Sequence, residues 1–330
     1  MSHGSKLSKL DRTLTLDAAR VTEAAAIAAA KWRGRGDERQ ADQAAIAAMR
    51  AELNRLPING RVVIGEDEDS EPPMLFMGEN IGVGEGIPLD IAVDPVEGVT
   101  LCAKDNANAL SVVVLAAPDS LLNVPGMYMD KLAIGPGYEP DVIDLNLSPA
   151  ENLARVAKAK GVSVSGLTVC ILDRVRHSKL IAEVRAAGAA IRLIRDGDIA
   201  GVIEAAKPAE TGIDIYMGVG GAAEGVLAAA ALCSIGGQFL GRLTPLNDEQ
   251  RRRAASMGIT DLRKIYTLED MVRGDVIFSA TGITDGTMLD GVKFNGKTVE
   301  THSIVMRSTS KTVRWVHSCY DVAASAIASA

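Results

Sequence analysis

Strand-like and helix-like segments alternate through the second half of this chain, and that alternation restricts the possible folds more than any other feature. The strand-like segments are short and apolar, whereas the segments between them carry apolar residues at helical spacing. Such alternation is typical of layered α/β structures with a largely parallel sheet. From residue 167 onward we predict strand 167–172, helix 179–187, strand 190–194, helix 199–206, strand 213–217 and helix 224–234.

The first half of the chain predicts two Ala-rich helices followed by strands. The helices cover about 16–31 and 41–53, with Asp42 in the first turn of the second helix. Residues 299–316 alternate in side-chain character, which indicates a β-hairpin. A chain of 330 residues is long enough for two domains. We therefore predict an α/β fold, α+β in its N-terminal part, with two packed domains over residues 1–155 and 156–330.

Composition and charge exclude several classes of function. The chain has 42 acidic and 35 basic residues, and its formal net charge of −7 removes any general attraction to nucleic acid or to an anionic membrane. Aromatic residues make up only 3% of the chain, so few rings can stack on bases. The longest apolar run is far shorter than the ~18 residues of a membrane span, and no secretory signal is present. The four cysteines form no Cys-x-x-Cys pair, so we expect a cytoplasmic protein with reduced thiols.

Acidic residues follow three of the predicted strands. Glu66 begins one acidic stretch, Asp94 and Glu97 follow the next strand, and Glu224 follows a strand in the second half. Carboxylates at strand ends lie at the edge of an α/β sheet where ligands bind. Oxygen ligands without neighbouring His or Cys suit Mg²⁺ or Mn²⁺. A single cluster is equally compatible with a solvated loop or a simple turn, but three such strand ends favour a shared metal site.

A glycine motif at the third strand end permits a different interpretation. Gly218, Gly220 and Ala223 match the dinucleotide fingerprint G-x-G-x-x-G/A. The fingerprint expects an acidic residue about 20 positions later, where the chain has Arg242, and Glu224 would put a carboxylate beside the pyrophosphate. These two features disfavour a nicotinamide-dependent dehydrogenase.

Short motifs extend along nearly the whole chain, from about Arg20 to Trp315. In chain order they are Gly-Arg-Gly-Asp37, Gly65-Glu66-x-Glu68, Asp90-Ile-Ala-Val-Asp94-Pro-Val-Glu97-Gly98, Asn106-Ala-Asn108, Met127-Tyr128-Met-Asp-Lys131, Asp196-Gly-Asp198, Gly218-x-Gly220-Gly221-x-x-Glu224-Gly225, Ser279-Ala-Thr281-Gly-Ile-Thr-Asp-Gly286 and Met306-Arg-Ser308. Together and in this order, they resemble the class II, GlpX-type fructose-1,6-bisphosphatase family of the lithium-sensitive phosphatase superfamily.

The resemblance implies a layered sugar-phosphatase fold and a metal-dependent activity. Its N-terminal domain would bind the metal and its C-terminal domain the substrate. The implied reaction is hydrolysis of the 1-phosphate of fructose 1,6-bisphosphate, in gluconeogenesis or the Calvin cycle. Sedoheptulose 1,7-bisphosphate is a second possible substrate. The implied cofactor is Mg²⁺ or Mn²⁺, and the implied assembly is a homodimer or a homotetramer.

The resemblance also assigns roles to residues whose motifs match. The implied metal ligands are Asp42, Glu66, Asp94, Glu97 and Glu224, and Glu68 is a further ligand or an acid that contacts one. The implied substrate contacts are Glu97, Gly98, Tyr128, Arg174, Arg176, Asp196, Asp198 and Gly221. The catalytic group comprises Asp42, Glu66, Glu68 and position 99, which holds Val99. Arginine can grip a phosphate, and carboxylates can accept from sugar hydroxyls.

Position 99 departs from the family pattern, which has a threonine that positions the attacking water. Val99 has no hydroxyl, and loss of one such group costs on the order of 10²–10⁴ in rate. Thr100 would point to the opposite side in an extended segment. Two alternatives therefore stay open: a catalytically weakened homologue that binds sugar bisphosphate and metal, and a phosphatase for another sugar or inositol phosphate.

Overall fold

A computed structural model describes residue 10, residues 12–66 and residues 73–324. The described residues form two compact units. The first comprises residues up to Leu121 together with those from Arg273 onward, and the second comprises Leu122–Val272. The predicted boundary at residue 155 lies inside a helix of the second unit. The two units do not divide the chain at residue 155, because strands near the C-terminus pair with strands of the first unit. The assignment of folding domains stays a prediction.

The first unit is built on an eight-stranded mixed sheet. Its elements are α1 (Leu14–Ala30), α2 (Glu38–Leu53), β1 (Ile58–Ile64), β2 (Asn80–Ile81), β3 (Ile87–Glu97), α3 (Val99–Ala103), β4 (Leu110–Ala116) and, after the second unit, β10 (Val276–Gly282), β11 (Lys293–Phe294), β12 (Thr298–Arg307) and β13 (Thr312–Asp321). The strand order is β11-β12-β10-β4-β3-β1-β2, and β13 pairs with β12. The hairpin predicted over residues 299–316 is thus confirmed as β12 and β13.

The second unit contains a five-stranded sheet in the order β7-β6-β8-β5-β9. Its elements are β5 (Tyr128–Ile134), α4 (Pro149–Lys160), β6 (Thr168–Leu172), α5 (Ser178–Ala187), β7 (Ala190–Ile194), α6 (Asp198–Ala205), α7 (Pro208–Thr211), β8 (Ile215–Gly221), α8 (Ala222–Ile235), β9 (Gln238–Thr244), α9 (Asp248–Ser256) and α10 (Leu268–Met271). Strands β7, β6 and β8 are parallel as predicted, whereas β5 and β9 are antiparallel to their neighbours. The α/β class predicted from the sequence is confirmed.

The helix that carries Asp42 begins earlier than predicted. The Asp37 side chain accepts a hydrogen bond of 3.0 Å from the backbone N–H of Gln40 and caps α2, which therefore starts at Glu38 rather than near residue 41. Asp42 accordingly lies in the second turn of α2, not in the first. Helix α2 packs against β3 and α3. Asp42 therefore lies on a helix beside β3, but not at the N-terminus of that helix.

Helix α1 packs a buried carboxylate against the β12–β13 hairpin. Glu23 is only 1% exposed, and its Oε1 atom accepts from the hydroxyls of Thr301 at 3.2 Å, Ser303 at 3.4 Å and Ser318 at 2.7 Å. The Tyr320 hydroxyl donates to Oε2. Four hydroxyl donors thus replace the water that an exposed carboxylate would bind, which satisfies this buried polar group.

Within the described residues, no helix is both long and apolar enough to cross a membrane.

Candidate active site

The acids of the first unit lie at one edge of its sheet. Strands β1 and β3 are parallel neighbours, with Ile64 opposite Ala92, so Glu66, just after β1, and Asp94, near the C-terminal end of β3, lie at the same edge. Glu66 forms an isolated bridge with Phe76 just beyond β1. The sequence predicted that Asp94 and Glu97 follow this strand, but β3 continues through Asp94 to Glu97. Both residues still pair with β4, across a bulge.

Burial shapes the electrostatics of these acids. Glu97 is only 3% exposed. Desolvation by burial raises the pKa of Asp42 on α2 above its usual range. A buried carboxylate that must be charged requires compensation, either by hydrogen bonds or by a cation.

The segment after Glu97 is helical, which corrects the extended conformation assumed for Thr100. Gly98 has φ 82° and forms the N-cap of α3, and Val99 is the first helical residue. A Cβ atom at Gly98 would lie 2.8 Å from Leu101 Cδ1, so this turn requires glycine for steric reasons as well. Val99 is partly buried against the hydrophobic core of the first unit. Since Val99 and Thr100 are consecutive helical residues, they do not point to opposite sides as they would in a strand.

The predicted ligands are divided between the two units. Asp42, Glu66, Asp94 and Glu97 belong to the first unit and Glu224 to the second, whereas Glu68 lies outside the described residues. Among residues 10, 12–66 and 73–324, no group of three or more His, Cys, Asp or Glu side chains is arranged to hold a metal ion. The ligand set stays a prediction.

In the second unit, Glu224 lies against the end of β8. It is in the first turn of α8, and its carboxylate is so close to Gly221 that a Cβ atom there would lie 1.9 Å from Glu224 Oε2. Burial, and then the negative charge of Asp198, raise the pKa of Glu224, while the Lys131 ammonium acts in the opposite direction. The structure therefore brings Gly221, Glu224 and Asp198 together.

A short turn after β6 presents the two predicted phosphate-binding arginines. The guanidinium of Arg176 donates to the Val219 carbonyl from Nε at 3.0 Å and from Nη2 at 2.8 Å, and its Cζ lies 4.9 Å from the centroid of the Tyr128 ring. Tyr128 is opposite Gly221 in the β5–β8 register. Arg174 Nη2 lies 3.4 Å from Asp196 Oδ2. These contacts place Arg176 beside the end of β8 and Arg174 beside the start of α6.

Asp196 and Asp198 flank a left-handed glycine at the start of α6. Gly197, the N-cap residue, has φ 86°, which favours glycine at this turn. Burial raises the pKa of Asp196, and the Arg174 guanidinium opposes that rise. The Asp198 carboxylate is buried and accepts a hydrogen bond from the Lys131 ammonium. Asp198, one of the two predicted sugar contacts, thus forms an ion pair with Lys131 that the sequence did not reveal.

His177 is a second residue that sequence reasoning missed. The His177 Nδ1 atom donates to the Leu172 carbonyl at 2.7 Å, and Nε2 accepts from the Val219 N–H at 2.8 Å, an arrangement that only the neutral ring can make. Burial lowers the pKa of His177. The imidazole therefore fixes the arginine turn to β8. A cavity of about 300 Å³ opens here and is lined in part by Arg176, His177 and Val219.

The glycine motif of β8 makes room for side chains rather than for a dinucleotide. A Cβ atom at Gly218 would lie 3.2 Å from the His177 ring, and one at Gly220 would lie 2.1 Å from Asp198 Oδ2. Carboxylates of Asp198 and Glu224 therefore line the position at which the dinucleotide fingerprint would place a pyrophosphate, and like charges there would oppose its binding.

Comparison with known proteins shows the family to which this chain belongs. The family model described as bacterial fructose-1,6-bisphosphatase, glpX-encoded, matches residues 12–320. The chain is 44% identical over 323 residues to fructose-1,6-bisphosphatase 1 class 2 of Escherichia coli strain K12, an alignment that covers 94% of this chain and 95% of that protein. The class 2 fructose-1,6-bisphosphatase of Shigella flexneri is similar to the same extent. This chain belongs to the bacterial, glpX-encoded fructose-1,6-bisphosphatase family.

Proposed function

We propose that this chain hydrolyses the 1-phosphate of fructose 1,6-bisphosphate. The observation that carries the proposal is a group of charged and polar side chains around the end of β8 and the start of α6, in a member of this family, that would bind phosphate and sugar hydroxyls. Those side chains are Tyr128, Arg174, Arg176, Asp196 and Asp198, and all of them belong to the second unit.

The two arginines would bind a phosphate of the substrate. Each already has one partner, the Asp196 carboxylate for Arg174 and the Val219 carbonyl for Arg176, which holds the guanidinium planes in place. A guanidinium has five N–H donors, so each retains donors for phosphate oxygens. Charge-assisted, two-point hydrogen bonds of this kind are strong and directional. Asp196 and Asp198 would accept from the hydroxyls of the sugar.

The residues proposed to hold Mg²⁺ or Mn²⁺ are Asp42, Glu66, Asp94, Glu97 and Glu224, with Glu68 as a further candidate. The donors fit a hard cation, because all are carboxylates and because burial raises the pKa of Asp42 and Glu224, an unfavourable effect that a bound cation would offset. When bound, a divalent cation neutralises phosphoryl charge and acidifies water. The contribution of the chain itself is to hold these carboxylates on α2, at the C-terminal ends of β1 and β3, and in the first turn of α8.

A phosphate-release assay tests the proposal. The substrates are fructose 1,6-bisphosphate, sedoheptulose 1,7-bisphosphate and an inositol monophosphate, each with Mg²⁺ or Mn²⁺. We expect the highest kcat/KM with fructose 1,6-bisphosphate, and Glu224→Ala should shift the metal concentration needed for half-maximal activity upward. A clear preference for the inositol phosphate would refute the assignment, and an unaltered metal dependence would remove Glu224 from the ligands.

Val99 supports a second candidate function, a weakened homologue that binds the bisphosphate and turns it over slowly. The side chain at position 99 has no hydroxyl with which to orient water and instead packs partly against the core. Calorimetry separates the two candidates. Binding of fructose 1,6-bisphosphate without measurable phosphate release selects the weakened homologue.

We also propose that the protein is cytoplasmic and forms a homodimer or a homotetramer. The net charge of −7 and the reduced thiols support the location, and family membership supports the assembly. Light scattering coupled to size-exclusion chromatography gives the molar mass. A mass of one chain, 34.6 kDa, would refute the assembly.

A further inference from the structure

A buried lysine lies at the centre of the second unit and has no role in the function proposed above. Lys131 on β5 is only 1% exposed, and its ammonium pairs with the Asp198 carboxylate, which is also buried. A buried ammonium is strongly destabilising unless it is paired and hydrogen-bonded. The Lys131 position therefore depends on Asp198, and the Asp198 position depends equally on Lys131.

The surrounding backbone leaves a slot through which the lysine chain reaches this partner. Lys131 is opposite Gly218 in the β5–β8 register. A Cβ atom at Gly220 would lie 3.1 Å from Lys131 Nζ, and one at Gly225 would lie 3.2 Å from Lys131 Cε. Larger residues at these two positions would narrow the slot. Gly220 in β8 and Gly225 in α8 thus permit the ion pair, which gives the glycine motif a structural reason that requires no nucleotide.

The ion pair also restricts how Asp198 can act. Lys131 donates to the Oδ2 atom and so occupies one acceptor position of this carboxylate, which leaves its other acceptor positions for a substrate hydroxyl. Asp198 is the first residue of α6, and the left-handed Gly197 sets its backbone. A carboxylate held by both its backbone and a cation is pre-oriented, and pre-orientation reduces the entropy lost on binding.

We propose that Lys131 is a positioning residue that orients Asp198 for recognition of a sugar hydroxyl. Lys131 does not touch the substrate in this arrangement but acts through Asp198, the carboxylate to which it donates. The inference rests on the proposed function, because it assigns Asp198 to the sugar. It therefore concerns substrate affinity more than the rate of the chemical step.

A double-mutant cycle tests this dependence. The variants of the full chain are Lys131→Met, Asp198→Asn and the double variant, with kcat and KM for fructose 1,6-bisphosphate measured for each. Lys131→Met should raise KM by about tenfold or more with a smaller change in kcat, since the orientation of a charge-assisted acceptor is lost. In the Asp198→Asn background the same lysine change should alter KM by less than about twofold, because the group through which the lysine acts is gone.

The chain offers a matched control for the loss of a buried ion pair. Lys160 pairs with the buried Asp214 in the same unit, at the other end of β8 from Gly221. Lys160→Met should lower stability to urea but leave KM within about twofold of the wild type, since that pair has no link to Asp198. A comparable rise of KM in Lys160→Met would show that any lost ion pair disturbs the site and would overturn the proposal.

The outcomes also separate the two proposals. If Lys131→Met does not fold, two variants still decide: Asp198→Asn, which keeps an amide oxygen to accept from the lysine, and the double variant, which leaves no buried charge without its partner. A further rise of KM by about tenfold between these two variants would show direct action of the lysine and overturn the proposal. If the wild type binds fructose 1,6-bisphosphate in calorimetry without hydrolysing it, the proposed activity fails, and the same cycle in binding affinity decides the role of Lys131. If the wild type neither binds nor hydrolyses it, both proposals fail.

Discussion

Substitution of Gly220 by alanine should displace the Asp198 carboxylate. The added Cβ atom would lie 2.1 Å from Asp198 Oδ2, far inside the 3.4 Å at which ordinary van der Waals contact begins. Gly220 does not have a positive φ, so alanine introduces no backbone strain at this position and the effect is a steric one. Either the carboxylate or the end of β8 must move by more than an ångström.

The magnitude follows from the burial of the pair. Removing one member of a buried ion pair costs about 3–5 kcal/mol, and overfilling a packed site costs about 1–3 kcal/mol. Gly220→Ala displaces the Asp198 carboxylate without removing it, so we expect a loss of about 2 kcal/mol in the free energy of unfolding. KM for fructose 1,6-bisphosphate should rise as well, because Asp198 no longer faces the substrate in the same orientation.

Urea unfolding and steady-state kinetics measure the two effects, and Gly126 provides the control. Gly126 also lacks a positive φ, and a Cβ atom there would meet nothing within 4 Å. Gly126→Ala should therefore leave both stability and KM nearly unchanged. In an Asp198→Ala background, Gly220→Ala should cost much less than in the wild type, since the clashing carboxylate is absent and Lys131 Nζ, 3.1 Å from the added Cβ, is the end of a flexible side chain. If Gly220→Ala matches Gly126→Ala in the wild-type background, our explanation of the glycine motif is refuted.

Other predictions concern catalysis, the buried acid and pH. Val99→Thr should raise kcat by about tenfold or more, because it restores a hydroxyl at position 99. Thr100→Val, which removes the neighbouring hydroxyl, is the control. An unchanged kcat in Val99→Thr would show that position 99 does not orient water. Glu23→Ala should lower the free energy of unfolding in urea by about 3 kcal/mol, because the hydroxyl donors around Glu23 lose their acceptor. Glu23→Gln keeps one side-chain oxygen and should lower it by less. Equal losses in the two variants would contradict this account. Burial depresses the pKa of His177 below its unfolded value of about 6.5, so its contribution to stability is present above about pH 6.5 and is lost as pH falls through the folded value. His177→Asn should reduce that pH dependence in urea unfolding, and an unchanged slope would assign the dependence to other groups.

The sequence predicted the parts of the fold that depend on local pattern. Strand β7 has the predicted bounds, Ala190–Ile194, because its run of apolar residues is bordered by a glycine and an acidic turn. The missed helices had local signals as well. Helix α4 begins with a capping box from Ser148 to Glu151 and with Pro149 at its first position, a combination that marks a helix start.

Long-range pairing explains what the sequence did not reveal. Strand β10 pairs with β4 although a whole unit of the chain separates them, and no residue in either strand encodes that partner. A contiguous division into residues 1–155 and 156–330 follows naturally from the order of predicted elements. Contact between distant strands is instead a property of the assembled sheet.

The residues of the candidate site show the same limit. The acids at strand ends stood out because clustered charge beside apolar strands is unusual, whereas Lys131 is a single lysine in a strand, and most lysines in such positions are solvated. The structural role of the glycines in β8 depends on Lys131. The same spacing permits close approach of a phosphate in one protein and of an ammonium–carboxylate pair in another, because glycine supplies only space. What fills the space is set by β5 and α6, which bring Lys131 and Asp198 to it, and so the motif can be interpreted only together with its neighbours in the sheet.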